Sequence, residues 1–187
     1  MISGPDNLSI QPLISVCIPV FNGDNFIREA VDSVLNQTEN NFELVIVDNC
    51  STDRTLEIVA QYNDARITVF KNTCNLGPVP NFNRCIELAK GEFIVLLPHD
   101  DLLLPTALET LSKALISDPQ VGLAYSSYYI IDGKGKRSYL SLTYDEDKVM
   151  SGNEAFTRLA GGNPIQCAMI RREVYSRLGS WDPNLKL

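Results

Sequence analysis

Short apolar runs alternating with helix-like segments predict an α/β fold, a mainly parallel sheet with helices on both faces. Two observations carry this. The runs Ile14 to Val20, Phe42 to Val47 and Phe93 to Leu97 lack the polar alternation of a half-exposed strand, as expected of strands covered on both sides. The segments between them place apolar residues at helical spacing, which puts a crossover helix between successive strands.

The elements follow in order. Ile14 to Val20 is β-branched and reads as a buried strand. Ile27, Ala30, Val31, Val34 and Leu35 then share one helix face. Phe42 to Val47 is the second strand. Ser51 and Thr52 stand where they can cap a helix carrying Leu56, Ile58 and Val59. Ile67 to Phe70 is a shorter third strand. Asn75 to Pro80 is a loop of turn formers, from which a helix runs to about Lys90, with Gly91 at the expected stop. Phe93 to Leu97 is the fourth strand. A helix follows from about Pro105, with Thr106 and Glu109 at capping-box spacing and Leu108, Leu111 and Leu115 facing inward.

Beyond Val121 the pattern changes. Val121 to Ile131 reads as a strand region, and Asp132-Gly133-Lys134-Gly135 as a hairpin turn. Ser151 and Glu154 form a second capping-box candidate, opening a helix through about Ala160. Ala168 to Arg171 reads as a strand, and Glu173 to Leu178 as a short helix ended by Gly179. Residues 1–12 read as an N-terminal tail and residues 13–187 as one domain, long enough to bury a substantial core.

Composition narrows the function classes. The formal net charge of -7 argues against a nucleic-acid binder, which would carry a basic face. The five cysteines (Cys17, Cys50, Cys74, Cys85, Cys167) are odd in number and show no Cys-x-x-Cys pair, so they read as reduced and structural, in keeping with a cytoplasmic protein. His99 is the single histidine and has no ligand cluster around it in sequence, which argues against zinc. The polar opening residues do not resemble a signal peptide, and no apolar run approaches the ~20 residues of a membrane span. Contact with a membrane would be peripheral at most.

Ligands of open parallel sheets bind beyond the carboxyl ends of the strands, near the switch in strand order. Here the first strand ends at Pro19-Val20-Phe21-Asn22, the second at Asp48-Asn49 and the fourth at His99-Asp100-Asp101. Each residue also has an ordinary explanation. Pro19 and Asn22 suit a turn, Phe21 a core, Asp48 a local backbone bond, and Asp100 with Asp101 a solvated turn. Their convergence on one rim favours a ligand. A nucleoside diphosphate leaving group gathers negative charge as its bond to a sugar breaks. A hard divalent cation, Mn2+ or Mg2+, held by Asp100 and Asp101 would turn repulsion from an acidic rim into attraction. Asp48 suits a hydrogen bond from a base or ribose, and Phe21 suits packing on the base. The first strand is not followed by G-x-G-x-x-G, and neither a P-loop nor a G-x-S-x-G elbow occurs, which argues against dinucleotide oxidoreductases, P-loop enzymes and α/β hydrolases.

Three segments in order, ISVCIPVFNGDNFIREAVDSVLNQT, FELVIVDNCSTDRTLEI and NLGPVPNFNRCIELAKGEFIVLLPHDDLLLP, resemble family 2 glycosyltransferases. A looser likeness follows at CAMIRREVYSRLGSWDPN. The resemblance implies the A-type glycosyltransferase fold, a Rossmann-like architecture, and transfer with inversion from a nucleoside diphosphate sugar, commonly a UDP-sugar, to a glycan or lipid-linked acceptor. It implies that Pro19, Phe21 and Asn22 form the first nucleotide-contacting segment and that Asp48 contacts the base. Asn75, Gly77 and Asn83 match the loop and helix start near the nucleotide, and Asp100 matches the metal-binding aspartate of the D-x-D motif. Two positions depart from the pattern: Pro98 replaces the first aspartate of D-x-D, and Phe82 stands where many members carry arginine. The family's base follows shortly after the segment matched by Gly179-Ser180-Trp181-Asp182, so the chain reads as a donor-binding portion lacking its C-terminal end. A sugar nucleotidyltransferase and a non-catalytic sugar-nucleotide-binding domain are the alternative readings.

Overall fold

The computed structural model describes residues 11–133, 135–141, 148–159 and 168–184. The first half alternates as expected: β1 (Ile14–Val20), α1 (Ile27–Leu35), β2 (Phe42–Asp48), α2 (Thr55–Val59), β3 (Ile67–Lys71), α3 (Pro78–Leu88), β4 (Phe93–Leu96) and α4 (Ala107–Ser117). The second half adds β5 (Leu123–Tyr125), β6 (Tyr128–Ile131), β7 (Arg137–Ser141), α5 (Gly152–Leu159), β8 (Ala168–Arg171) and α6 (Arg172–Leu178).

The main sheet has the order β3-β2-β1-β4-β8-β5. β1 pairs in parallel with β2 and β4, and β2 with β3. β8 is the exception, lying antiparallel between β4 and β5. The single apolar region read at Val121 to Ile131 is two strands in two sheets, because the chain leaves the main sheet after Tyr125 and β6 pairs with β7 as a separate hairpin. The expected turn at residues 132–135 closes that hairpin, with the Gly135 N–H bonded to the Asp132 carbonyl at 2.8 Å.

Every residue of β1 is buried, which accounts for its unbroken apolar run. Burying each Ile or Val side chain contributes about 1.5–3 kcal/mol. On one face β1 and its neighbours pack against α1, α2 and α4 through Ile27, Val31, Ile58, Leu108 and Leu115. On the other, Cys17, Val45 and Ile94 pack against Cys85 and Ala89, with Tyr175 alongside. Pro19 sits within β1 without loss of a ladder bond to β4, since that pairing ends at Cys17 and Leu96.

Five expectations are corrected. Ser51 and Thr52 do not cap α2; Asp53 Oδ1 instead accepts the Thr55 N–H at 3.0 Å. Thr106 makes no side-chain cap to α4, and Glu109 accepts the Thr38 hydroxyl instead. Gly91 is not the stop of α3, which ends at Leu88. Its missing side chain lets the chain pass β1, where a Cβ would lie 2.5 Å from Ser15 N and 2.7 Å from Ile14 C. Of the cysteines, Cys17 and Cys85 are buried core residues as expected, but Cys74 is exposed and Cys50 half-buried; all four are free, and Cys167 lies outside the described residues. α3 also begins at Pro78, inside the expected loop of Asn75 to Pro80, because proline suits the first helical position; two later signals agree. Ser151 Oγ accepts the Glu154 N–H at 3.3 Å as its capping-box half, and Gly179 ends α6 at φ 86°. Ala160 lies outside the described residues.

Candidate functional site

The strand order reverses between β1 and β4: β2 and β3 lie on one side of β1, and β4 on the other. The loops after β1, β2 and β4 therefore share one rim at the switch point.

The first two loops are sewn together. Asn22 adopts φ 51°, a left-handed conformation that asparagine tolerates. Its N–H donates to Ser51 Oγ at 2.9 Å, and its Oδ1 accepts the Thr52 N–H at 2.9 Å. The Gly23 N–H donates to Thr55 Oγ1 at 2.8 Å, and the Asp24 N–H to Asp53 Oδ2 at 3.0 Å. Burial pushes the Asp53 carboxyl upward, but the Thr55 hydroxyl and the Asp24 and Thr55 N–H groups outweigh it and hold the group below its usual range. Phe21, at the crest, is 42% exposed and so does not belong to the core.

Asp48 is wholly buried, and its carboxylate accepts the Ser51 N–H at 3.1 Å. Beside it stands a residue that sequence reading passed over. Asn49 Nδ2 donates to Asn75 Oδ1 at 2.8 Å and to the Gly77 carbonyl at 3.1 Å. Its Oδ1 accepts from Asn72 Nδ2 at 3.0 Å and from the Leu76 N–H at 2.9 Å. Asn72 also donates to Asn81 Oδ1, and Asn81 donates to the Val47 carbonyl. This chain of amides fixes the Asn75 to Gly77 loop, where Gly77 takes φ 85°. The signal was present as repeated asparagines, but their mutual distances depend on the parallel pairing of β2 with β3.

After β4 the chain turns at Pro98 to Asp101, where the Asp101 N–H donates to the Pro98 carbonyl at 3.0 Å. His99 packs on Gly23, so closely that a Cβ there would lie 2.5 Å from the imidazole Cδ2. That contact joins the first and fourth strand ends and gives the lone histidine a packing role. Asp100 is exposed and Asp101 half-buried. Burial, and then the Asp100 charge, raises the Asp101 carboxyl to about 6. Two adjacent hard oxygen donors fit a small divalent cation, which uses one or two carboxylates and completes its shell with phosphate and water oxygens. Among the described residues, no three His, Cys, Asp or Glu side chains converge to hold an ion alone. A cavity of about 400 Å³ opens beside Asp100, lined by Phe26, Glu29, Leu102, Ile131 and Asp132, among others.

The structure thus gathers Phe21, Asn22, Asp48, Asn75, Gly77, Asp100 and Asp101 around the strand ends, with Pro19 buried beneath. Asn83 is engaged elsewhere. Its Nδ2 donates to the Trp181 carbonyl at 2.8 Å, and its Oδ1 accepts the Trp181 N–H at 2.9 Å.

A family model described as glycosyl transferase family 2 matches residues 15–179. The chain belongs to that family. It is 37% identical over 181 residues to an uncharacterised glycosyltransferase of Rickettsia typhi, covering 94% of this chain and 55% of the relative. It is 33% identical over 144 residues to the putative teichuronic acid biosynthesis glycosyltransferase TuaG of Bacillus subtilis, covering 73% of this chain and 57% of TuaG. Among solved structures it resembles residues 1–349 of S. aureus TarS, with a TM-score of 0.75 and 26% identity over 93% of this chain and 51% of that one. It shares its fold with a mannosyltransferase of Pyrobaculum calidifontis solved with GDP-Man and Mn2+, at a TM-score of 0.69, 22% identity, and coverage of 95% and 49%. The architecture is therefore the A-type glycosyltransferase fold. The chain spans about half the length of these relatives. TarS has also been solved with UDP and with UDP-GlcNAc. No described helix is long and apolar enough to cross a membrane.

Proposed function

We propose that this family 2 glycosyltransferase domain binds a nucleoside diphosphate sugar, a UDP-sugar first of all, on the rim of β1, β2 and β4, with help from Mn2+ or Mg2+. The observation that carries the reading is the exposed Asp100 and half-buried Asp101 at the switch point, beside an open cavity, with the exposed Phe21 at the end of the neighbouring strand β1.

The residues divide the task by chemistry. Phe21 offers an apolar face to the base, and the buried Asp48 an acceptor for a base or ribose donor. Asn22, Asn75 and Gly77 shape the nucleotide cradle from a rigid set of hydrogen bonds. Asp100 and Asp101 would hold the cation, whose positive charge stabilises a departing diphosphate. The cavity by Phe26 and Leu102 gives room for a sugar next to that diphosphate. Transfer would proceed with inversion in one step: the acceptor oxygen bonds to the anomeric carbon as the bond to the nucleoside diphosphate breaks, and the hydroxyl proton passes to a general base, which the family resemblance places shortly after Gly179 to Asp182. The acceptor is a glycan or lipid-linked saccharide, as in polysaccharide assembly, and the enzyme works in the cytoplasm with at most peripheral membrane contact.

Calorimetric titration with UDP, with and without Mn2+, tests the reading. Binding that requires the metal and is lost in Asp100→Ala is the expected result. Metal-independent binding, or metal-assisted binding untouched by that substitution, would refute the assigned cation site.

A further inference from the structure

Asn83 lies in the second turn of α3, just beyond the loop of Asn75 and Gly77. Its amide engages both backbone groups of a single residue, Trp181, which follows 98 positions later. The pair of bonds imitates a strand partner and leaves neither backbone group of Trp181 unsatisfied. Among the described residues, 182–184 make local bonds of their own, Asp182 Oδ1 accepting from the Asn184 N–H and Nδ2. Among the described residues, the Asn83 amide is thus the hydrogen-bonded tie between the 180–184 segment and the body of the domain.

The Trp181 side chain does not supply a second tie of this kind. Its Nε1 is buried without a hydrogen bond, and so is the neighbouring Tyr175 hydroxyl. Burial, and then the Cys17 thiol, pushes Tyr175 up to about 12; the indole N–H acts in the opposite sense without bonding to it in the geometry seen here. Trp181 is half-buried, and its backbone is held by the clamp.

The first turn of α3 is bonded to the rim. Asn81 donates to the Val47 carbonyl and accepts from Asn72, and the Gly77 carbonyl accepts from Asn49. One helix therefore carries a bonded contact to the strand ends and, two residues on, the clamp on Trp181.

We propose that Asn83 is a positioning residue that transmits occupancy of the rim after β2 to the Trp181 segment through α3. The clamp rests on geometry alone, whereas the occupant, a nucleoside diphosphate, rests on the function proposed above. Coupling through a packed helix needs two arrangements whose balance the ligand shifts, and the tie between Asn83 and Trp181 is the contact that such a shift would load.

Trp181 is the sole tryptophan of the chain, so intrinsic fluorescence reports on this segment directly. In Asn83→Ala, Trp181 emission should shift to the red and become more open to acrylamide quenching, while unfolding stays cooperative. Asn83→Asp keeps the acceptor for the Trp181 N–H and loses the donor, so it should fall between the two. With UDP and Mn2+, wild-type emission should change in step with calorimetric binding, and that change should be lost in Asn83→Ala at saturating UDP. Emission and quenching unaltered in both variants would overturn the clamp. Wild-type emission indifferent to UDP that calorimetry shows to be bound would overturn the coupling. Absence of any calorimetric binding would instead count against the donor reading, and the comparison of variants without ligand would still decide the clamp.

Discussion

The loop after β2 and the loop after β4 meet at the same rim, yet they use their polar groups in opposite ways. After β2, the amide of Asn49 has both of its ends engaged, and it is 2% exposed. After β4, Asp100 stands exposed, and Asp101 is half-buried with its carboxyl raised by burial and by the Asp100 charge. A satisfied buried network makes a rigid scaffold, whereas adjacent carboxylates that repel one another make a receptive site for a cation. The contrast teaches that the asparagines set the shape of the rim, while on the function proposed above the aspartates would set its affinity.

The sharpest way to break this contrast is to exchange the effects. Asn49→Ala leaves the Leu76 N–H without its acceptor and removes one of the two bonds of Asn72 Nδ2, and unfolding by urea should show a loss of roughly 2–4 kcal/mol. A loss below half a kcal/mol would mean that the amide chain is not a scaffold. Gly91→Ala, remote from the rim, calibrates the comparison. Its Cβ would meet backbone of β1, and a cost of roughly 1–3 kcal/mol is expected in the same assay without selective loss of UDP binding. Asp100→Asn should do the reverse: stability within about 0.5 kcal/mol of wild type, and metal-assisted UDP affinity down about tenfold or more, that is ~1.4 kcal/mol. A strongly destabilised Asp100→Asn would place that carboxylate in the scaffold instead.

The smallest effect concerns acid stability. Hydrogen bonds from the Arg66 side chain, then from its N–H, lower Asp64 to about 2 from 3.8. A depressed folded value means that the contribution is present above pH 3.8 and is lost as pH falls through about 2. Wild type should therefore lose under ~1 kcal/mol to this pair over that window, and Asp64→Asn should flatten that part of the profile. An unchanged slope in the variant would assign the acid sensitivity to other carboxylates, with Asp53 the next to test because its network joins the first two loops.

Strands β1, β2 and β4 were legible because burial on both faces leaves an apolar run that local sequence cannot disguise; β3, an edge strand with Thr68 and Val69 exposed, was legible from its β-branched and aromatic residues instead. The insertion of β8 between β4 and β5 was not, since antiparallel placement depends on which edge remains open after the parallel core has formed. The caps failed for a related reason. Ser51 and Thr52 had the right chemistry for capping α2, but the β1 loop, close only in the fold, draws their bonds to Asn22.

Within the site, residue types at the strand ends alone were enough to nominate the rim, because a parallel sheet delivers successive carboxyl ends to one side. The sequence by itself determined the α/β class, the membership of strands β1 to β4, and the presence of an aromatic, amides and carboxylates at their ends. Only the tertiary structure decided which of those groups were already satisfied. It engaged Asn49 with the Asn75 loop, turned Asp48 toward Ser51, and closed Asn83 on Trp181. Such choices turn on hydrogen-bond distances between residues up to 98 positions apart, and local propensity carries no information about those distances.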